Sequence, residues 1–400
     1  MEVIIERCAG LDVHQATVVA CVLIGQAGRK PHKEIRTFST MTRDLEAMRD
    51  WLKGHGVTHV GMESTGIYWK PVHTILEGHF ELIVANAHHI KTVPGRKTDV
   101  KDAEWTADLV RHGLVKPSFV PPPPIRDLRD LVRLRRSLSE ALATEQNRTL
   151  KLLEHQVGQR GQPGVRRLRP GDDEGADREH RHAAGDGGPG EAEVAPQAGA
   201  LALDGRLSEH HRCLLAFHLR RLEAIEADLR ALDERIEEKA RPYQAQRRLL
   251  RQIPGVDDRI AVAIIAEIGI DMTVFGNARR LAAWAGVCPG NHESAGKKKS
   301  TAARKGNIHL KTVQVCAART KGSYDKDKYH RLKARRGSLR AAIAHKILVA
   351  VFHMLAKTVP FKELGEAFLD QQACKRTTTN LVRRLNNLGY DVLLRPKVAA

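Results

Sequence analysis

The chain has 400 residues, with 66 Lys and Arg against 47 Asp and Glu, for a formal net charge of +19. That length holds two or three domains with more than one core. So basic a balance (pI about 9.9) points to a phosphate-rich partner, because neutralised phosphates release condensed counterions.

The six cysteines are scattered with no pair at CxxC spacing, which speaks against a zinc knuckle and for reduced core thiols of a cytosolic protein. The N-terminus MEVIIERCAG carries two acids and no long apolar stretch, unlike a signal peptide. No apolar run reaches membrane-spanning length: IAVAIIAEIGI and KILVAVFHML are both interrupted by charge or His. The expected location is therefore cytoplasmic, without membrane association.

In the first third, CAGLDV (8–13) and TVVACVLI (17–24) read as strands around a tight polar break at His14-Gln15. KEIRTFST (33–40) reads as a third strand. DLEAMRDWLKGHG (44–56) has helical spacing and ends at glycine. THVGMES (58–64) reads as a buried strand, YWKPVHTILEGH (68–79) as a short helix and ELIVANA (81–87) as another strand. TDVKDAEWTADLVRHGLV (98–115) reads as an amphipathic helix with Val100, Trp105, Leu109 and Val110 near one side. The order β-β-β-α-β-α-β-α predicts a mixed sheet covered by helices, the layout of an RNase H-like, RuvC-like α/β domain over 1–120.

Four carboxylates stand out in that layout. Asp12 (in GLDVH) and Glu63 (in GMESTGIYW) each end a strand-like run, and Asp99 and Asp102 (in KTDVKDAEW) are spaced to share a helix face. Each alone reads equally as a turn residue, a surface acid or a helix cap. Together, in a strongly basic chain, they suggest a divalent-metal site built from hard oxygen donors, with Mg²⁺ as the expected ion. Two ions roughly 3.5–4 Å apart would activate an attacking oxygen and stabilise a leaving one. After Glu63, the STGIYW stretch sets Tyr68 and Trp69 either beside a nucleic-acid strand or in the core of the following helix.

PPPP (121–124) reads as a stiff linker. Residues 125–155 carry Leu128, Leu131, Leu138 and Leu142 at helical spacing. Residues 205–240 do the same with Leu215, Leu222, Ile225, Leu229, Leu232 and Ile236. These read as two helical, coiled-coil arms that offer an oligomer contact. Between them, 156–203 breaks every pattern: 156–200 holds ten glycines, one leucine (Leu168) and no Ile, Phe, Met, Trp or Tyr. Such a stretch cannot bury enough to fold alone. Its residues have GC-rich codons, so one reading is an out-of-frame translation restored near Leu203, and the other a flexible linker. Translating the gene in the other two frames separates them, since an arm-joining apolar period in either one supports the first.

The last third (245–360) is expected to be mostly helical. LLRQIPGVDDRIAVAIIAEIGI (249–270) matches a helix-hairpin-helix pattern, in which Gly255 frees the backbone to meet a phosphate. Asp257-Asp258 just after the turn departs from that pattern. An apolar helix then runs to Gly286, followed by a loop with Ser294-Ala295-Gly296-Lys297 and a second helix near Asn307. Ser294 lies ahead of Lys297, Lys298, Lys299, Arg304 and Lys305. It could serve as a nucleophile toward a phosphodiester with cations to hold the developing charge, but by itself a Ser in a Gly/Lys loop reads as an ordinary turn residue. Residues 361–400 read as a basic helical tail.

Read jointly and in order, GLDVH, MESTGIYW, GRKTDVKDAEW, the IPGV segment and AGVCPG…SAGK…KGN resemble the DEDD-type insertion-sequence transposases. These are recombinases with a RuvC-like N-terminal domain and a C-terminal transposase domain. The resemblance spans about 1–155 and 205–360. It implies that Asp12, Glu63, Asp99 and Asp102 bind Mg²⁺ and that Ser294 forms a transient covalent link to DNA. It further implies guidance by a structured RNA and an active site assembled across protomers of a homo-oligomer. The alternatives are a RuvC-like structure-specific endonuclease using metal-activated water, with Ser294 structural, and an inactive nucleic-acid-binding remnant.

Overall fold

The structure, a computed structural model, describes residues 4–26, 28–64, 66–86, 102–115, 117–157, 208–288, 292–294, 297–300, 306–310, 340–362 and 368–394. The chain divides into two compact units, Met1–Val120 and Pro121–Ala400.

The first unit contains strands β1 (Arg7–Val13), β2 (Thr17–Ile24), β3 (His32–Ser39), β4 (His59–Glu63) and β5 (Glu81–Ala85). Its described helices are α1 (Thr42–Gly54), α2 (Trp69–Leu76) and α3 (Asp102–Arg111). The sheet order is β3-β2-β1-β4-β5. β1 pairs antiparallel with β2, and β2 with β3, while β1, β4 and β5 run parallel. A tight turn, closed by His14 N–H donating to the Thr17 carbonyl at 2.9 Å, makes the antiparallel step between β1 and β2. The parallel steps are crossovers through α1 and α2.

Both faces of the sheet are covered over its central strands, which is why β1, β2 and β4 are largely apolar, whereas the edge strand β3 is mostly exposed. On one face Ala9, Leu11, Val18, Val22, Val60 and Met62 pack against Leu45, Met48 and Leu52 of α1 and Val72 and Leu76 of α2. On the other, Cys8, Cys21 and Leu23 meet Ala103, Ala107 and Val110 of α3.

The contact face of α3 is made of small residues. Trp105 is only partly buried, against Ala85, Leu109 and Val115, while Ala103, Thr106 and Ala107 press on the sheet. The helix comes that close because the strands beneath it carry glycines. A Cβ on Gly10 would lie 2.2 Å from the Ala107 nitrogen and 2.3 Å from the Ala103 carbonyl oxygen. One on Gly61 would lie 2.4 Å from a Val110 methyl. Gly10→Ala therefore forces backbone apart, and the expected cost is on the order of 3 kcal/mol of stability, measurable by urea denaturation. Of the expected face, Val100 lies outside the described residues.

The second unit begins with a long helical pair, α4 (Pro123–Val157) and α5 (Glu209–Ala240). It is antiparallel: Asp127 meets Lys239 at 3.2 Å, Arg135 bonds Asp233, Glu145 meets His218 at 2.6 Å and Leu153 packs on Leu215. Leu128, Leu142, Leu222 and Ile236 are buried, whereas Leu131, Leu138, Ile225, Leu229 and Leu232 are half-buried. The anomalous glycine-rich segment falls almost wholly at 158–207, outside the described residues.

There follow a 3-10 turn at Arg241–Tyr243, α6 (Gln244–Leu250), α7 (Asp258–Ile268), a second 3-10 turn at Thr273–Phe275 and α8 (Ala278–Trp284). The segment expected to be a loop around Ser294 is a hairpin, with β6 (His292–Ser294) antiparallel to β7 (Lys297–Ser300). α9 (Arg340–Lys357) and α10 (Phe368–Asn387) complete the unit. Among the described residues no helix is long and apolar enough to cross a membrane.

Candidate active site

Asp12 and Glu63 stand side by side at one edge of the first unit's sheet. β1 and β4 are adjacent and parallel, and their last registered pair is Leu11 with Met62, so the next residue on each strand is a carboxylate. Leu11 and Met62 face α1 and α2. By strand alternation Asp12 and Glu63 face the α3 side. The pairing of Asp12 with Val19, which packs on that side, agrees.

α3 runs back across this face toward the same edge. The Cys8 thiol donates to the Ala107 carbonyl at 3.4 Å, and Gly10 lies under Ala103 and Ala107. Moving toward the start of the helix thus moves along β1 from Cys8 toward Asp12, and Asp102 opens the helix. Three of the four expected carboxylates are thereby brought to one sheet edge by topology. Asp99 lies outside the described residues. A helix N-terminus directed at this edge favours negative charge there.

The Asp12 carboxylate bonds the His14 ring at 3.1 Å and is 30% exposed. Among the described residues no three Asp, Glu, His or Cys side chains stand close enough to hold a metal ion. The donor set is nonetheless of the kind Mg²⁺ takes: carboxylate oxygens, without sulfur. The nearest thiols contribute nothing, since burial pushes Cys8 and Cys21 each up to about 12 and leaves them neutral.

In the second unit, Ser294 pairs with Lys297 and Glu293 with Lys298 across the β6–β7 hairpin. Lys299 follows on β7, and Arg304 and Lys305 lie outside the described residues. Beyond them, Gly306 packs against the turn after α8: a Cβ there would lie 2.5 Å from Ala285 and from the Gly286 Cα. Gly286 itself has a φ of +71°. Two of the glycines in AGVCPG and KGN are thus where one backbone rests on another.

Asn307 anchors this contact. Its side-chain oxygen accepts from the Leu310 N–H at 3.0 Å, and its amide donates to Glu267. Glu267 is buried on α7 and receives both arms of the Arg133 guanidinium at 2.8 Å each. Arg129, one turn earlier on α4, donates to the backbone carbonyls of Ala266 and Glu267 at 3.0 and 2.7 Å. Burial pushes the Glu267 carboxyl up, but the bonds from Arg133 and Asn307 outweigh it and hold the group below the usual carboxylate range. Burial also lowers Arg129 to about 10, against the attraction of Glu267.

Sequence reasoning missed this network. Its signal was present: Glu267 is the single charge in IAVAIIAEIGI, and an acid within a buried apolar helix requires a paired cation.

The turn at Gly255 has a φ of +81°, as its place in IPGV predicts. The start of α7, however, is held from within. The Asp257 side chain accepts from the Ile260 N–H at 2.7 Å, and Asp258 pairs with Arg247, which also binds Glu237 at 3.0 and 2.7 Å. A phosphate approaching this helix end meets a capped amide and two acids.

A mixed sheet with acids at one edge, joined to a helical unit with a basic hairpin, fits the two halves of a transposase, and the comparisons with known proteins agree. Residues 9–156 match the DEDD transposase model of the IS110 type, and residues 247–334 match the Transposase IS116/IS110/IS902 family. The chain belongs to the IS110-type transposase family.

The transposase for insertion sequence element IS1111A of Coxiella burnetii (strain RSA 493 / Nine Mile phase I) is 31% identical over 156 residues, 36% of this chain and 40% of that protein. The putative transposase y4pF/y4sB of Sinorhizobium fredii (strain NBRC 101917 / NGR234) is 29% identical over 119 residues, 30% of each chain. The chain thus aligns with less than half the length of these curated relatives.

Proposed function

We propose that this protein cuts and rejoins DNA at the ends of a mobile element. Its first unit acts as an RNase H-like, RuvC-like nuclease domain and its second supplies a serine nucleophile. The observation that carries the reading is the register of β1 and β4, which sets Asp12 beside Glu63 at the edge toward which α3 brings Asp102.

Asp12, Glu63 and Asp102, with Asp99, would hold Mg²⁺. When bound, the metal supplies Lewis-acid polarisation of a phosphate and neutralises charge that builds on the leaving oxygen. The chain's own part is to converge oxygen donors from separate elements. His14 holds Asp12 in place, and the bulk of α3 keeps water off the inner part of that face.

In the second unit, the Ser294 oxygen would bond to phosphorus as the bridging P–O bond to the DNA breaks. The serine proton ends on the departing DNA hydroxyl. The product is a seryl phosphodiester, whose later attack by a DNA hydroxyl restores the strand and frees the serine. Lys297, Lys298 and Lys299, with Arg304 and Lys305, would neutralise the phosphate during both steps. DNA is the substrate in this reading, a structured RNA the guide, a homo-oligomer the active form and the cytoplasm its place.

Ser294→Ala tests the covalent step. Strand transfer is expected to fall about a thousandfold or more, and no protein–DNA adduct should survive denaturing electrophoresis. Full strand transfer in that variant would instead favour a nuclease that uses metal-activated water.

A further inference from the structure

The carboxylate edge has an apolar rim. Met41, Ile67 and Tyr68 are 69%, 67% and 41% exposed. All three lie at this edge of the sheet. β3 ends there at Ser39, and Thr40 is pinned to the β1–β2 turn by bonds to Ala16 (3.1 Å) and Gln15 (2.9 Å), so Met41 follows just beyond the turn after Asp12. Ile67 and Tyr68 leave the same edge shortly after Glu63. The Tyr68 ring lies over Gly66, whose added Cβ would sit 3.6 Å from it.

The neighbouring aromatic behaves oppositely. Trp69 packs against the core and meets the His73 ring edge-on at 5.7 Å. Burial thus accounts for Trp69 and not for Tyr68.

Two further observations say what the rim takes. Met41 and Tyr68 occupy the N-cap positions of α1 and α2, and neither helix has a side-chain cap. Ser208, Asp257 and Asn277 cap α5, α7 and α8 in the usual way. Apolar groups thus stand at this edge where polar caps would stabilise the helices. Exposed cations, Arg43 and Lys70, sit in the first turns of the same two helices. Side chains with apolar faces, flanked by cations and placed at the same end of the sheet as the carboxylates, match a nucleotide: ring against base, cation against phosphate.

We infer that Tyr68, with Met41 and Ile67, holds an unstacked base of the strand whose phosphate lies at Asp12 and Glu63. The substrate at this edge is then a single-stranded or locally opened stretch of DNA. A closed duplex does not serve, because the faces of its bases are covered by their neighbours. This inference rests on the nuclease reading of the edge.

The test is fluorescence anisotropy of the full chain, without divalent metal, on a labelled oligo-dT of about 20 nucleotides and on a duplex of equal length. Tyr68→Ala is expected to weaken single-strand binding about tenfold and duplex binding less than about twofold, with Tyr68→Trp restoring the first. Circular dichroism checks that each variant folds. Unchanged single-strand binding, equal loss on both DNAs or no rescue by tryptophan overturns the inference. Those outcomes leave the carboxylate reading standing, whereas DNA cleavage by Asp12→Ala would defeat that reading whatever Tyr68 does.

Discussion

Asp12→Ala is expected to abolish DNA cleavage, by about a thousandfold or more, and to leave DNA binding nearly intact. The size follows from the task given to the group: one carboxylate of a metal site contributes several kcal/mol of transition-state stabilisation. The separation of binding from cleavage follows from charge. The chain carries a net charge of +19, and removing one carboxylate raises it. Affinity for DNA should therefore hold or rise slightly, and its steep fall with added salt should persist. Asp12 is 30% exposed and outside the apolar clusters on either face of the sheet, so its truncation should cost little stability. A nicking assay beside an electrophoretic mobility assay measures both. In the proposed metal site, Glu63→Ala and Asp102→Ala should behave alike.

Glu267→Ala carries the largest expected loss of stability. It leaves the Arg133 guanidinium without the carboxylate it grips with both arms, in surroundings where Glu267 itself is only 1% exposed. Removing one partner of a buried pair costs about 3–5 kcal/mol, and because Arg133 is 34% exposed, water brings the expected loss to the low end of that range. The double variant Arg133→Met/Glu267→Leu should recover part of the loss, because it removes the Arg133 charge together with its partner while Arg129 and Asn307 still face the site. Urea denaturation of the two variants and the parent measures this.

The pair also sets an acid limit. Because the folded Glu267 carboxyl lies below its ordinary value, its stabilising contribution is fully present above that ordinary value. It is lost as pH falls through the lower, folded value. Glu267→Gln should flatten the stability curve in that window. Either change should also loosen Asn307 and the contact of Gly306 with Ala285 and Gly286, a few residues after the Ser294 hairpin in the chain, so strand transfer should fall with it.

Strands β1, β2, β4 and β5 were legible because each is a short, largely apolar run with clear punctuation, and the turn at His14 and the glycine stop at 54–56 mark their limits. The acids at their ends were legible for the same reason, since Asp12 and Glu63 each interrupt such a run. The face of α3 was legible only in part, at the buried Leu109 and Val110. Its packing depends on Gly10 and Gly61, residues that leave no side chain to betray what lies above them, so the larger Trp105 drew the periodicity instead.

The Ser294 segment was read as a loop because KKKS has little strand propensity, and only its pairing with β6 makes it a strand. The Glu267 network joins residues more than 130 positions apart. No local pattern pairs Arg133 with Glu267, although Arg129 and Arg133 share a helix face and an acid in an apolar helix demands such a partner.

Titration calorimetry of Mn²⁺ into the intact protein, Asp12→Asn and Glu63→Gln tests the metal site without depending on DNA or turnover. Saturable binding by the parent that disappears in both variants is the predicted result. Identical isotherms in all three proteins would contradict it, because carboxylates set side by side by the β1–β4 register would then hold no ion.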